Sequence, residues 1–506
     1  MKWKMSLAAM LSVLLIVLSG CQSVGGVDIA NLINRSADVV TAESQGTLKI
    51  KLDVKQNANL SEEETKMIAL MNGFEVNVHS KVQSADQMSI QANLKMGGKE
   101  LPIQLSMDGD SIAAVIDGAK DNRPILLPVD DMEGLEINNE TALKVQKSLI
   151  QFFTKHAPNP KVTTVTPVTE TIFGESQSLN KVHMEFGADE TLDWVSELLK
   201  SIIADEQGTK ATIQELVKLY APIIEQSMAS EDMSSEYAMF KDGEVLATIA
   251  YKWLKENGET ALAELKKEWD QTVKESPEAA VVLSNKTKLK LDLYADSSLN
   301  LKKNNMELQI ALPDTDDMPI TGITIQASSE MKDLNKPVKA DLINTSNAAV
   351  VDKDLVTPGQ WLRFFKSDSL AYQLLKDMGI TQKYIYLDLS QDDYEDLYVD
   401  TPAPFINKGV TMVPLRYVAE QLDADVKWDQ ATKSVRIIDD ITGSTIIVKL
   451  NSTVATIDGK QQNMNSAPVV KDGSVYIPLR AVAELLGVEV NYIKSEYGDY
   501  VTLERD

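Results

Sequence analysis

APFINKGVTMVPLR spans residues 403–416, and APVVKDGSVYIPLR spans residues 467–480. The two stretches align without a gap at an offset of 467 − 403 = 64 residues. The alignment continues with Val418-Ala419-Glu420 against Val482-Ala483-Glu484, Leu422 against Leu486, Val426 against Val490 and Trp428 against Tyr492. The carboxyl-terminal part of the chain is therefore an internal duplication, with copy 1 at residues 403–428 and copy 2 at residues 467–492.

Each copy is predicted to be a hairpin that leads into a short helix. Gly409 or Gly473 makes the turn, and Pro414 or Pro478 stands where a strand ends and a helix can begin, since its missing donor is harmless in a first turn. Gly487 can end the second helix in the left-handed conformation, for which Asp423 in copy 1 is less suited. The predicted helices are Arg416–Leu422 and Arg480–Leu486, and the predicted strands that follow are Asp425–Trp428, Ser434–Ile438 and Thr445–Leu450.

Both copies carry an arginine followed by a glutamate four residues later, which places the two side chains on one helix face. We interpret Arg416 with Glu420, and Arg480 with Glu484, as ion pairs within the domain. The alternative is that the arginines bind a carboxylate or a sugar. The repeated motif is therefore expected to be structural, and its residues are Pro414, Leu415, Arg416, Glu420, Pro478, Leu479, Arg480, Glu484 and Gly487.

Residues from about 380 to 506 resemble the copper amine oxidase N-terminal-like domain, or stalk domain, of many Gram-positive envelope proteins. The two copies of Pro-Leu-Arg with Ala-Glu at matching spacing carry this resemblance. It implies a non-catalytic domain, because copper and the quinone belong to a separate oxidase domain that nothing here resembles. Asp423 in place of the usual glycine, and the acidic stretch Asp392–Asp400, affect only the boundary.

Residues 28–345 are predicted to form an α+β body, and residues 346–379 a connector to the duplicated domain. An opening helix at Asn31–Val40 precedes alternating strands, a helical middle at 142–275 follows, and strands then return. The first strands are Thr47–Val54, Phe74–Val82, Met88–Met96, Leu101–Met107 and Ser111–Ile116. The helices are Ala142–Lys155, Leu192–Ile203, Thr212–Ser227 and Glu244–Lys274, the last split or bent at Gly258. The last strands are Thr287–Tyr294, Asn305–Leu312, Gly322–Ala327 and Pro337–Asn344.

The strands of the body have one apolar face, as in Leu48, Ile50, Leu52 and Val54. An opening helix before such a meander resembles the half-barrel lipoproteins of the lipid-carrier type, which implies an apolar groove. The alternative is a filled core, in which Leu246, Ile249, Trp253, Leu262 and Leu265 close the gap between sheet and helices.

The amino terminus is predicted to be a signal peptide at residues 1–20. Lys2 and Lys4 precede an apolar run from Met5 to Leu18, which falls short of the roughly 20 residues that span a bilayer. Leu18-Ser19-Gly20-Cys21 resembles the lipobox of bacterial lipoproteins. That resemblance implies that Cys21 becomes the acylated first residue of the mature protein, and that residues 21–27 form the lipidated cysteine and its tether. It also implies that several acyl chains hold the protein in the membrane.

Composition excludes several classes of protein. Cys21 is the one cysteine in 506 residues, so no intramolecular disulfide can form. The net charge of −25 becomes −27 when Lys2 and Lys4 leave with the signal peptide. Such an acidic surface argues against nucleic acid and against lying flat on anionic lipid.

No catalytic, metal or cofactor site is predicted. The histidines, His79, His156 and His183, are widely separated, whereas a copper site needs convergent ligands. The acidic clusters at Asp314, Asp316 and Asp317, and at Asp392, Asp393, Glu395 and Asp396, lack the spacing of a calcium loop. No phosphate-binding loop and no nucleophile elbow occur.

These observations predict a non-enzymatic lipoprotein on the extracytoplasmic face of the cell membrane, with a structural, adhesive or binding role. Its partners are the membrane, through Cys21, and a cell-wall polymer or another envelope protein. The alternative is a carrier or sensor of lipid or another apolar ligand, and an envelope hydrolase is a more distant one. An exposed aromatic and basic patch on the duplicated domain favours the first function, and an apolar cavity in the body favours the second.

Overall fold

The chain is an α+β protein of two compact units in a computed structural model. Unit 1 comprises Met1–Ala114 and Pro128–Ile343, and unit 2 comprises Val115–Leu127 and Asn344–Asp506. The predicted signal peptide, Cys21 and the acidic stretch Asp392–Asp400 lie outside the described residues. The structure describes residues 23–56, 58–109, 111–128, 139–227, 243–315, 318–351, 358–378, 383–388, 404–471, 473–495 and 498–505.

Unit 1 is built on an antiparallel sheet in which β1 lies between β2 and β11. Across unit 1 the strand order is β5-β4-β3-β2-β1-β11-β10-β9-β8-β7. The strands are β1 (Ala42–Val54), β2 (Glu75–Val82), β3 (Gln87–Met96), β4 (Lys99–Asp108), β5 (Ser111–Ile116), β7 (Val162–Ile172), β8 (Glu175–Gly187), β9 (Lys288–Ala295), β10 (Leu301–Ala311) and β11 (Ile320–Lys332).

Three helices of unit 1, α1, α3 and α4, pack on the part of the sheet that contains β8 and β9. Ile29 and Leu32 of α1 and Ile150 of α3 pack with Val182 and Leu293 of strands β8 and β9. Trp194 of α4 packs on Leu289 beside them. The helices are α1 (Ile29–Ala37), α2 (Glu62–Asn72), α3 (Asn139–His156), α4 (Thr191–Ala204), α5 (Glu206–Ser227), α6 (Glu244–Glu275) and α7 (Pro277–Val282).

The apolar face of the central strands is only half buried. Cross-strand register sets Leu48, Ile50 and Leu52 opposite Ala327, Ile325 and Ile323. The Leu48 side chain is exposed, and the other five are partly exposed. The helix α6 does not fill the gap as one alternative predicted, because Ile249, Trp253 and Leu265 are exposed on its surface.

Several element predictions for the body were wrong. Gly258 does not interrupt α6, which runs without a break from Glu244 to Glu275 and buries this glycine beside Leu199 and Ile203. The predicted helical middle contains the hairpin β7–β8, and α2 was missed. Pro337–Asn344 forms no strand, since its N–H groups donate to side chains instead, Asp341 to Ser89 Oγ and Ile343 to Ser106 Oγ. The predicted tether is already packed at Val27, which is buried beside α1.

Unit 2 contains the duplicated domain. Segments of the predicted connector are ordered within unit 2, including a 3₁₀ helix at Pro358–Phe364 and α8 (Leu370–Asp377). The remaining elements are β6 (Ile125–Pro128), β12 (Ala349–Val350), β13 (Lys383–Asp388), β14 (Phe405–Asn407), β15 (Val410–Pro414), α9 (Leu415–Gln421), β16 (Ala424–Asp429), β17 (Ser434–Asp439), β18 (Thr445–Lys449), β19 (Val454–Ile457), β20 (Lys460–Asn463), β21 (Val469–Lys471), β22 (Ser474–Pro478), α10 (Leu479–Leu486), β23 (Glu489–Ser495) and β24 (Gly498–Arg505).

The two copies pair with each other about a pseudo-two-fold axis. Strand β15 of copy 1 runs antiparallel to β22 of copy 2, with Val413 opposite Ile477. These two residues are themselves equivalent, because 477 − 413 = 64. The pair Met412–Pro478 maps in the same way onto the pair Tyr476–Pro414. Both helices contribute to one core, in which Val413, Leu415 and Val418 meet Ile477, Leu479 and Val482.

Candidate functional site

A groove of about 640 Å³ lies on unit 2 and is mostly apolar with a charged rim. It joins parts of both copies: α9 and strand β16 come from copy 1, and the β21–β22 hairpin comes from copy 2. We call it the Trp428 groove. Its lining residues are Pro414, Leu415, Arg416, Tyr417, Glu420, Val426, Trp428, Val435, Val470, Gly473, Ser474 and Val475.

Local structure determines which side chains of α9 reach the groove. Pro414 is the last residue of β15 and the N-cap of α9, so the chain turns from strand to helix there. Leu415 then points into the core, whereas the next residue, Arg416, is exposed. The Arg416 Nη1 donates to Glu420 Oε1 over 2.9 Å, one turn later on the same face. The interpretation of this arginine as an ion-paired residue is confirmed.

Trp428 supplies the aromatic surface of the groove. It lies near the end of β16, opposite Val435, and 40% of the residue is exposed. Its Nε1 donates to Gln430 Oε1 at 2.7 Å, which fixes the indole ring without covering it. Val470 on β21 is 55% exposed and extends the apolar surface. An exposed ring beside an Arg–Glu pair can pack on an apolar ligand face and hydrogen bond at its edge.

Copy 2 differs from copy 1 at the matching helix. Pro478 again ends a strand, Leu479 is again buried, and Gly487 ends α10 with φ of 66°, as predicted. Arg480 and Glu484 are exposed, and these two described residues form no ion pair with each other, so the prediction of a second Arg–Glu pair was wrong.

Two buried charge pairs support the domain, and the sequence alone did not identify them. Asp423 is 0% exposed, and its Oδ2 lies 3.0 Å from Lys383 Nζ on β13. Arg505 Nη2 donates to Asp439 Oδ2 at 2.6 Å, and its Nη1 donates to the Leu422 carbonyl at 2.7 Å. The partners are 40 or more residues apart in sequence, so local patterns carry no signal for them.

The histidines of unit 1 are held by separate partners. His79 Nε2 lies 2.8 Å from Glu43 Oε1, and His183 Nδ1 lies 2.6 Å from Asp292 Oδ1. His156 is buried, with Nδ1 3.1 Å from Ser201 Oγ. The part of the chain that the structure describes holds no group of three His, Cys, Asp or Glu residues suited to a metal ion. Of the acidic clusters, Asp314 pairs with Lys55 at 2.6 Å, and the other residues lie outside the described ranges.

The polar face of the unit 1 sheet is a ladder of cross-strand pairs. Lys290 Nζ bonds Glu307 Oε1 at 2.9 Å, and Gln326 donates to Glu307 Oε2 at 2.8 Å. The Lys290 hydrogen bond, followed by that of Gln326, lowers the pKa of Glu307. Two grooves of about 580 and 390 Å³ lie on this face. Because the charges already bond one another, we interpret the face as structural.

The comparison with protein families concerns unit 2. Residues 393–498 match the family described as "Copper amine oxidase N-terminal domain", which confirms the resemblance of the duplicated domain. The matched domain is a non-catalytic one. No curated protein matches the chain. Within the described residues, no helix has both the length and the apolarity to cross a membrane.

Proposed function

We propose that this chain is a lipid-anchored envelope protein whose duplicated domain binds a cell-wall glycan through the Trp428 groove. The lipobox-like sequence before Cys21 supports the anchor, and the groove supports the binding role. The observation that carries the proposal is the exposed Trp428 beside the Arg416–Glu420 pair in a groove of about 640 Å³. In this proposal the domain has no catalytic role.

The chemistry of the groove fits a neutral sugar better than an anion. The Trp428 ring offers a flat apolar surface for the C–H face of a sugar ring. Arg416 and Glu420 offer donors and acceptors for hydroxyl groups at the ring edge, and the Arg charge is balanced by its partner. The net charge of −25 disfavours an acidic polymer at long range.

Sedimentation with insoluble wall glycan tests the binding role. We expect the mature chain, expressed from Gln22, to co-sediment with purified wall glycan, and Trp428→Ala to weaken binding by about tenfold, or about 1.4 kcal/mol. Ile447→Ala is the matched control, because Ile447 is an exposed apolar residue of β18 that does not line the groove. Equal binding by the wild type and Trp428→Ala, measured alongside this control, contradicts the proposal.

The anchor is tested separately. The Cys21 thiol is the one acyl acceptor of its kind in the chain, so Cys21→Ser should abolish lipid attachment and membrane retention. Metabolic labelling with a fatty acid, combined with fractionation, measures both. Membrane retention and labelling equal to the wild type would exclude Cys21 as the anchor.

The carrier function remains a second candidate because of the half-buried apolar face of unit 1. A filled core buries such residues almost completely, whereas Leu48 is exposed and Ile50, Leu52, Ile323 and Ile325 are partly exposed. An apolar ligand bound there would cover this surface. Solvent extraction of the purified protein with mass spectrometry, and titration with a fluorescent fatty acid, test this. Without an extracted lipid and without saturable binding, the carrier function should be rejected.

A further inference from the structure

The Trp428 groove combines two copies in a crossed manner. Its helix and aromatic residue belong to copy 1, while Val470, Gly473 and Ser474 belong to the hairpin of copy 2. The pseudo-two-fold relation requires a second arrangement of the same kind. In it, α10 and β23 of copy 2 combine with the β14–β15 hairpin of copy 1. The contacts agree, since α10 packs on β15 as α9 packs on β22.

The residues at the second position reproduce the chemistry of the first. Adding 64 to the numbers of Arg416 and Trp428 gives Arg480 and Tyr492, and subtracting 64 from Val470 gives Ile406. Tyr492 is 53% exposed and Ile406 is 75% exposed, so both are at least as accessible as their counterparts. Arg480 is also exposed. We call these three residues the Tyr492 face.

We infer that the Tyr492 face is a second glycan-binding surface, so that one domain binds two stretches of wall glycan. This inference rests on the proposed function of the Trp428 groove. Both surfaces present an aromatic ring, an arginine and a branched aliphatic side chain, the combination that packs on a sugar ring and bonds its hydroxyls. Exposed aliphatic residues occur at both symmetric positions, Val470 and Ile406, and one kind of ligand bound at each position would cover both.

The two surfaces differ in ways that predict unequal affinity. Tyr417 lines the first groove, and the equivalent residue of copy 2 is Ala481, which is smaller and buried. The Tyr492 face therefore lacks one wall and should be shallower. Arg480 is also not held by Glu484, so binding there must order its side chain at a cost of about 0.5–1.5 kcal/mol. Together these differences should weaken the second surface by roughly tenfold.

Calorimetry with a soluble oligosaccharide prepared from wall glycan tests the inference on the mature chain expressed from Gln22. We expect two sites per wild-type chain, one tighter than the other. Tyr492→Ala should leave only the tight site, Trp428→Ala only the weak site, and the double variant none. Ile447→Ala, on the outer face of β18, should keep both sites.

The outcomes separate this inference from the proposed function. If the wild type binds at a single site, and this site is lost in Trp428→Ala and unchanged in Tyr492→Ala, the second surface is excluded. The proposed function of the Trp428 groove is then still supported. Absence of any binding by the wild type overturns both. If Tyr492→Ala lowers the melting temperature, the variants Arg480→Gln and Ile406→Ser test the same surface at exposed positions. Two binding sites of wild-type affinity in both of these variants would overturn the inference.

Discussion

Asp423 and Gly487 occupy equivalent positions after α9 and α10, and both adopt the left-handed backbone, with φ of 60° and 66°. Glycine takes this conformation without cost, and aspartate is one of the few other residues that tolerate it. From the sequence alone, Asp423 is expected to suit this position less well than glycine. The structure gives a reason for it, because its carboxylate is fully buried and binds Lys383.

Replacing Asp423 with glycine should therefore destabilise the domain although it relieves the backbone. Lys383, whose side chain is 15% exposed, would keep its charge without this partner, so we expect a loss of about 3 kcal/mol in the free energy of unfolding. Adding Lys383→Met should recover most of the loss. Urea unfolding monitored by intrinsic fluorescence measures this, and Asp423→Gly as stable as the wild type would contradict the role of the pair.

His156 predicts a pH dependence of unit 1. Burial, which disfavours the charged ring, lowers its pKa below the ordinary value of 6.5, against the opposing effect of nearby Asp205. The unfolded chain therefore binds the proton more readily than the folded one. The stability contributed by neutral His156 is complete above about pH 6.5 and is lost as the pH falls toward the folded pKa.

His156→Gln should flatten this dependence. We expect the free energy of unfolding of the wild type to fall between pH 7 and pH 5, and that of the variant to fall less in the same range. Hydrogen bonding by Lys155 lowers the pKa of Asp205 below its ordinary value of 3.8, so the stability that this carboxylate contributes is constant between pH 7 and pH 5 and is lost only at lower pH. Equal slopes for wild type and variant between pH 7 and pH 5 would show that another group is responsible.

At the scale of elements, Gly258 shows why a glycine in a helix need not mark a break. Its Cα faces α4, where a Cβ would lie 3.4 Å from the methyl groups of Leu199 and 3.5 Å from that of Ile203. Those distances are ordinary contacts. An alanine would therefore fit at this position without displacing α4, and the helix continues through the glycine.

Substitutions at Gly258 should consequently depend on size. Gly258→Ala should stabilise unit 1 by about 0.5–1 kcal/mol, because alanine favours the helix and fits the space. Gly258→Leu should destabilise it by about 1–3 kcal/mol through overpacking. Thermal unfolding followed by circular dichroism compares the two, and destabilisation by alanine as large as that by leucine would contradict this account.

The local sequence predicted most of the helices and strands whose apolar periodicity and turn residues lie within the element itself. The strands β2 and β3 and the hairpin–helix order of each copy are confirmed. The β7–β8 hairpin was missed although it carries signals: β7 is Thr-rich, Pro167 is tolerated because β7 is an edge strand, and Phe173-Gly174 turns with positive φ. The helix α2 likewise begins with an Ser61–Glu64 capping box.

The candidate site was predictable only in part, for a physical reason. The sequence identified Pro414, Arg416 and Glu420, which are neighbours on one turn from strand to helix. It could not place Val470 and Ser474 beside them, because that contact depends on the pairing of β15 with β22. Similarly, the strand predicted at Pro337–Asn344 has suitable residues but bonds to serine side chains rather than to a neighbouring strand.

At the scale of the whole molecule, the boundary of the duplicated domain affects its stability. We expect a fragment of residues 380–506 to fold alone, because both copies share a single core. Tyr372 of α8, however, donates its hydroxyl to the buried Ile441 carbonyl. A fragment of residues 366–506 retains this bond.

We therefore expect both fragments to unfold cooperatively and the longer one to be more stable by about 1–2 kcal/mol. Tyr372→Phe in the longer fragment is the control, since it removes the hydroxyl and keeps the ring, and should lose about 1 kcal/mol. Melting curves by circular dichroism measure each difference. Equal stability of the two fragments would place the domain boundary after α8.

The crossed arrangement of the copies makes the duplicated domain a tethered dimer. A single copy would have half of each surface and an unpaired edge at β15 or β22, and would have to find a partner by diffusion. In one chain, the segment between the copies holds them at an effective concentration in the millimolar range, far above the cellular concentration of most proteins. Two copies in one chain therefore pair at any dilution, whereas two separate copies would pair only at sufficient concentration.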